Sequence, residues 1–147
     1  MISFDTILFA NDFSENSEYA FDYALTLAKK FDARLIIIHV INEPVDLRGF
    51  YVPHISFENL EKEIAESAEK MMDKFCRTKT KDYAKVESVV ISGIPNEEII
   101  KKAEEAGAGL IVLGTHGRKG LDHILFGSTA ERVLRSAPCP VLSVRMP

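Results

Sequence analysis

Five short runs of apolar and β-branched residues alternate along this chain with four stretches of helical periodicity, and few architectures accommodate that alternation. Thr6-Ile-Leu-Phe-Ala10, Arg34-Leu-Ile-Ile-Ile-His-Val40 and Leu110-Ile-Val-Leu113 place apolar residues at successive positions, not at every second one. A strand with one wet face alternates. Unbroken apolar runs of this length belong to strands covered on both faces, as in parallel sheets. Val86–Ser92 and Val141–Arg145 complete the five. Between them, apolar residues recur at three and four: Ala20, Phe21, Ala24, Leu25, Ala28 and Phe31; then Phe57, Leu60, Ile64, Ala68, Met71 and Phe75; then Ile99, Ile100, Ala103 and Ala106; then Ala130, Val133 and Leu134. Strands and helices in alternation call for a doubly wound α/β domain: a five-stranded parallel sheet with helices on both faces. At 147 residues, 46% hydrophobic and 27% charged, the chain suits one such domain spanning 1–147, because two would each be small.

Local signals set the boundaries. Ser14 is placed to N-cap the first helix after the turn Asn11-Asp-Phe-Ser14, a helix should begin near Asn96 after Gly93-Ile-Pro95, and Gly107 is placed to stop it. Pro138 and Pro140 end the last helix. Asn42 to Ile55, with Pro44, Gly49 and Pro53, has neither period and reads as a long loop leaving the carboxyl end of the second strand.

The stretch with most chemical content is Gly114-Thr-His-Gly117-Arg-Lys-Gly-Leu-Asp-His-Ile-Leu-Phe-Gly127-Ser128-Thr129-Ala-Glu131. It runs from a buried strand through a glycine-rich loop into a helix. Glycines let backbone approach a ligand closely, and the first N–H groups of a helix lack partners and carry partial positive charge, so this order suits phosphate. The same residues have a structural reading: Gly114 ends a strand, Gly117 and Gly120 serve turns, and Ser128-Thr-Ala-Glu131 has the form of a capping box. Asp12, at the carboxyl end of the first strand, is either a turn carboxylate bonding its own backbone or a ligand group, since open α/β sheets bind ligands at that edge. His39, in an apolar strand, reads as a satisfied core residue.

Composition narrows the function. A formal charge of −4 and a pI near 5.6 give no general attraction for nucleic acid or anionic membrane. Met1-Ile-Ser-Phe-Asp is not the start of a signal peptide and no apolar run approaches membrane-spanning length, so a cytoplasmic location is expected. Cys76 and Cys139 lack metal or redox spacing and read as ordinary thiols. Neither a metal site nor a catalytic set is indicated by the residues.

Gly114-x-x-Gly117, nine residues, then Gly127-Ser128, placed after a strand and before the last helix, resembles the ATP-binding subclass of universal stress proteins. Ala137-Pro-Cys-Pro-Val-Leu-Ser-Val-Arg145 is similar to that family's closing strand, and Thr6-Ile-Leu-Phe-Ala-Asn-Asp-Phe-Ser14 to its first strand and turn. The resemblance implies strand order 3-2-1-4-5, an adenine nucleotide (ATP, ADP or AMP) as ligand, Mg²⁺ bound through its phosphates, and a homodimer through Val141–Arg145. It implies these site residues: Asp12 at ribose, backbone of Val40 at adenine, and Gly114, Gly117, Gly127, Ser128 and Thr129 at phosphate. The loop 42–55 is then either a lid over adenine or a solvent or interface loop. The chain departs from the family at Gly109, where aspartate is common, and at Ala10, where proline is frequent.

Three functions follow: a nucleotide-dependent regulatory or stress-response dimer, a slow ATP hydrolase, or a nucleotide-free dimeric adaptor. The first is favoured. Wider relatives that cleave between α and β phosphates carry a Ser-Gly-Gly-x-Asp-Ser loop after strand one, where this chain has Asn11-Asp-Phe-Ser-Glu-Asn-Ser17. A Walker lysine is absent, and Asp122 and His123 have no identifiable orienting partner, so fast turnover is not expected.

Overall fold

The computed structural model describes residues 1–42, 57–116 and 127–147. Its elements are β1 (Thr6–Ala10), α1 (Glu15–Phe31), β2 (Arg34–Ile41), α2 (Phe57–Lys79), β3 (Val86–Ser92), α3 (Pro95–Ala106), β4 (Leu110–Gly114), α4 (Ser128–Ser136) and β5 (Val141–Val144). Every strand pairing is parallel and the order is β3-β2-β1-β4-β5. The predicted sheet and the strand order implied by the resemblance are both present.

The unbroken apolar runs are explained by the two faces they serve. Ile7 and Phe9 of β1, Leu35 and Ile37 of β2, and Leu110 and Val112 of β4 pack with Ala20, Phe21, Ala24 and Ala28 of α1 and with Met72 and Phe75 of α2. The intervening residues Leu8, Ile36, Ile38, Ile111 and Leu113 face the other way, onto Ile99 and Ala103 of α3 and Ala130 and Val133 of α4. Successive strand side chains point to opposite faces, so a sheet covered on both sides needs apolar residues at every position. Phe21 and Phe75 meet edge to face at 5.0 Å, and Phe9 joins them at 5.2 Å from Phe21, an arrangement that rings favour over direct stacking.

Several sequence expectations shift by a residue. Met72, fully buried, fills the place assigned to Met71, which is exposed; the α2 stripe runs Ala68, Met72, Phe75. Phe31 and Leu134 lie on their helices' outer shoulders, and Phe31 is partly covered by Phe4 at 5.0 Å. α3 starts at Pro95, the position where proline's missing N–H costs nothing, and ends at Gly107 with φ 64. Both thiols are half-buried, and burial is the main cause that pushes them above the ordinary cysteine range. Among the described residues no helix is long and apolar enough to cross a membrane.

Gly109 has a packing role. A Cβ there would stand 1.9 Å from the Ser3 carbonyl oxygen, because the N-terminal segment crosses directly over it while the Gly109 N–H donates to Thr6 O at 2.9 Å. Gly109→Ala should therefore destabilise the fold by about 1–3 kcal/mol in chemical denaturation, the usual cost of overpacking. In a chain lacking residues 1–3 the same substitution should cost little; the full cost there would contradict the assignment.

Candidate functional site

The three central strands all end at one edge of the sheet, and the chain leaves β1 and β4 in opposite directions, α1 to one face and α4 to the other. Such a reversal opens a crevice at the carboxyl ends. The turn that follows β1 is tightly knit. Asn11 N–H donates to Ile38 O at 2.8 Å, extending the β1–β2 ladder by one residue. Ser14 N–H then donates to Asp12 Oδ1 and Phe13 N–H to Asn11 Oδ1, each at 2.9 Å, while Asp12 N–H reaches Ser17 Oγ at 3.2 Å. Ser14 caps α1 as expected, accepting from Ser17 N at 3.1 Å.

These bonds hold Phe13 at φ 64, in the left-handed region. A bulky residue there costs roughly 1–3 kcal/mol and persists only where surroundings over-determine it. Here the ring packs on His39 at 4.6 Å and on Phe75 at 6.3 Å. His39 is the satisfied core residue expected: its Nδ1 lies 2.7 Å from Asn11 O, which can only accept, so Nδ1 carries the hydrogen. The bond ties the ends of β1 and β2 together.

Val40 sits one pleat beyond the last β1–β2 pair, Ala10 with Ile38. Ile38 offers its carbonyl to β1, and strand backbone alternates sides, so Val40 N–H and C=O also point to the β1 side, past the end of that strand. The Val40 backbone groups thus lie at the carboxyl edge of the sheet, beyond the end of β1.

At β4, Gly114 and the start of α1 touch. A Cβ on Gly114 would lie 2.7 Å from Asn16 Oδ1 and 2.9 Å from Asn16 Cγ, so this glycine has a packing cause independent of any ligand. Thr115 N–H donates to Val144 O at 3.0 Å, and Thr115 O accepts from Gly127 N–H at 2.6 Å. That second bond brings the start of α4 back to the end of β4. Gly117 lies outside the described residues, as do Arg118, Lys119, Asp122, His123 and positions 43–55 of the expected lid loop.

The capping box at Ser128 is not formed. Gly127, at φ −69 and ψ 161, is the N-cap and has no side chain to offer; Ser128 is the first helical residue, and Glu131 pairs with Arg135 at 2.8 Å instead of reaching back. The sequence pattern misleads because glycine is itself an acceptable N-cap, and one residue of shift moves the serine out of capping geometry. α4 therefore begins without a cap bond from its own N-cap residue, beside the crevice. α3 also lacks a side-chain cap, but it follows edge strand β3 and its Pro95 has no N–H to offer.

Residues 3–145 match the sequence model of the universal stress protein family. The chain belongs to that family. Universal stress protein MJ0531 of Methanocaldococcus jannaschii is 36% identical over 143 residues, covering 96% of this chain and 82% of its own. Among solved structures, hypothetical protein MJ0577 superposes with a TM-score of 0.80 at 32% identity over 99% of both chains. A universal stress protein in complex with cAMP superposes at 0.64, with 24% identity over 97% of this chain and 98% of its own, a likeness of fold.

The universal stress protein fold here carries a polar layer under the crevice that sequence reasoning passed over: Asn11, Asn16, Ser17 and Thr115, all buried. Their burial is the signal that marks them, and no periodicity shows it. The two serines offered as helix caps now separate cleanly. Ser14→Ala should cost about 1 kcal/mol in thermal or urea unfolding, within the 0.5–2 typical of a lost N-cap. Ser128→Ala, at an exposed position with no cap bond, should change stability by less than about 0.5 kcal/mol. Equal losses would contradict the Gly127 cap.

Proposed function

We propose that this universal stress protein binds an adenine nucleotide, ATP with Mg²⁺ on its phosphates, and acts as a nucleotide-dependent regulatory dimer in the cytoplasm. The observation that carries the reading is the start of α4, whose N-cap Gly127 has no side chain to offer, drawn to the end of β4 by the Gly127 N to Thr115 O bond of 2.6 Å, at the point where the sheet order reverses. Uncapped N–H groups at a helix start favour anions through both hydrogen bonding and the helix dipole. Gly127, Ser128 and Thr129 would hold phosphate oxygens, with Gly114 and Gly117 alongside. Asp12 would accept from ribose hydroxyls from its place in the turn directly after β1, at the carboxyl edge of the sheet. The Val40 N–H and C=O would meet the adenine edge.

Further support comes from a protein of the same fold that was solved in complex with cAMP. The alternative is a nucleotide-free adaptor whose glycines are structural, and the packing cause found for Gly114 favours it at that one position. Gly127 separates the two readings. Its backbone is extended, a conformation any residue adopts, and its bond to Thr115 is backbone to backbone, so valine meets no backbone strain there; thermal unfolding without ligand checks that the variant folds. Calorimetric titration with ATP, ADP and AMP, with and without Mg²⁺, should show binding to the parent chain and none to a folded Gly127→Val variant. Unchanged affinity in that variant would defeat the phosphate role of this loop.

The dimer rests on β5. It is an edge strand with Val141 and Leu142 only partly covered, and an unpaired apolar edge invites another strand. Light scattering at micromolar concentration should give twice the 16.5 kDa chain mass. A monomer mass would contradict pairing through Val141–Arg145.

A further inference from the structure

Asn16 is the second residue of α1 and is 8% exposed, an unusual depth for a polar residue in a first helical turn. Its side chain spends both polar groups on the backbone of other segments. Oδ1 accepts from His116 N–H at 2.8 Å, and Nδ2 donates to Val144 O at 3.3 Å. Val144 O is also the acceptor for Thr115 N–H at 3.0 Å, so β5, β4 and α1 meet at one carbonyl. Gly114 leaves no room for a Cβ against Asn16, which presses the amide directly onto the end of β4.

We propose that Asn16 is a positioning residue of the nucleotide site, an inference that rests on the binding reading above. Thr115 and His116 form the entry of the glycine-rich segment, and Gly127 is its exit. Entry and exit are joined by Gly127 N–H to Thr115 O, so wherever Thr115 and His116 are held, the first turn of α4 is held with them. Thr115 is anchored through its own N–H to β5. His116 N–H donates to Asn16 Oδ1, and this anchor comes from α1, the helix whose start also carries the Asp12 turn through Ser17. Asn16 thereby sets the phosphate-binding N–H groups relative to the ribose carboxylate. Only a side chain with one acceptor and one donor at this spacing does both; leucine does neither and aspartate cannot donate to Val144 O.

Loss of this anchor should fall on the phosphates and spare the base and sugar. Asn16→Ala and Asn16→Thr are both made, so that a folding failure in one leaves the other, and thermal unfolding checks each. In the folded variant the affinity for ATP should fall about tenfold or more, the penalty of phosphate-binding N–H groups at the start of α4 that are no longer held in place, while adenosine affinity changes by less than about threefold. In the ligand-free chain, amide hydrogen exchange at His116 should accelerate by a similar factor while amides of β1 and β2 keep their protection. An equal loss for ATP and adenosine, or unchanged ATP affinity in a folded variant, overturns the positioning role while leaving nucleotide binding intact. A parent chain that binds neither ATP nor adenosine overturns the binding reading and this inference with it.

Discussion

The parallel pairing of β1 with both β2 and β4 is the constraint on which the rest depends. β1 contributes only five residues, yet Ile7, Leu8 and Phe9 are fully buried and reach both faces of the sheet. With β2 on one side and β4 on the other in parallel register, three carboxyl ends must emerge together, and the helices that follow β1 and β4 must leave to opposite faces. The crevice at that edge is a product of connectivity. At its rim stand a carboxylate after β1, strand backbone at Val40, and, after β4, a helix start whose N-cap is a glycine.

Beneath the rim, polar groups are buried where the core would otherwise accept only apolar ones. Burying an amide costs free energy unless it is hydrogen-bonded, so such groups persist where they fix geometry. Asn16 bonds two backbone segments, Ser17 serves the Asp12 turn, and His39 ties β2 to β1. Asn11 Oδ1 is engaged by Phe13 N–H, whereas Asn11 Nδ2 has no partner among the described residues. Phe13 adds backbone strain at the same place, held in the left-handed region by that network and by ring packing. The rim is thus rigidly held at the β1 side, which suits a site that must meet a ligand without rearranging.

Much of this could be read from the chain. Buried parallel strands announce themselves as unbroken apolar runs, and Ser14 and Gly107 mark helix ends by local chemistry that tertiary structure does not override. The strand order came from the family resemblance; periodicity is silent about which strands are neighbours. What failed did so where two local solutions compete. Gly127 and Ser128 are both good N-caps, and the backbone chose the glycine. Met71 and Met72 both fit a helical stripe, and packing against the sheet buries the second with Phe75. Phe13 gives no sign of its left-handed backbone, since nothing about a phenylalanine suggests it, and Asn16 looks like any polar residue of a first turn until α1 is laid against β4. Gly114, read both as a phosphate-loop glycine and as a strand end, has a packing cause in Asn16 that no local pattern shows.

The central claim is that the ends of β1, β2 and β4 and the start of α4 form one adenine-nucleotide site. The most direct test is to add ATP and Mg²⁺ to ¹⁵N-labelled protein and record which backbone amides shift. The account predicts shifts at Asp12, Val40 and Gly127 to Thr129 together, with the far edge at β3 and the carboxyl end of α2 unmoved. Shifts confined to another surface, or no shifts at millimolar ATP, would contradict it.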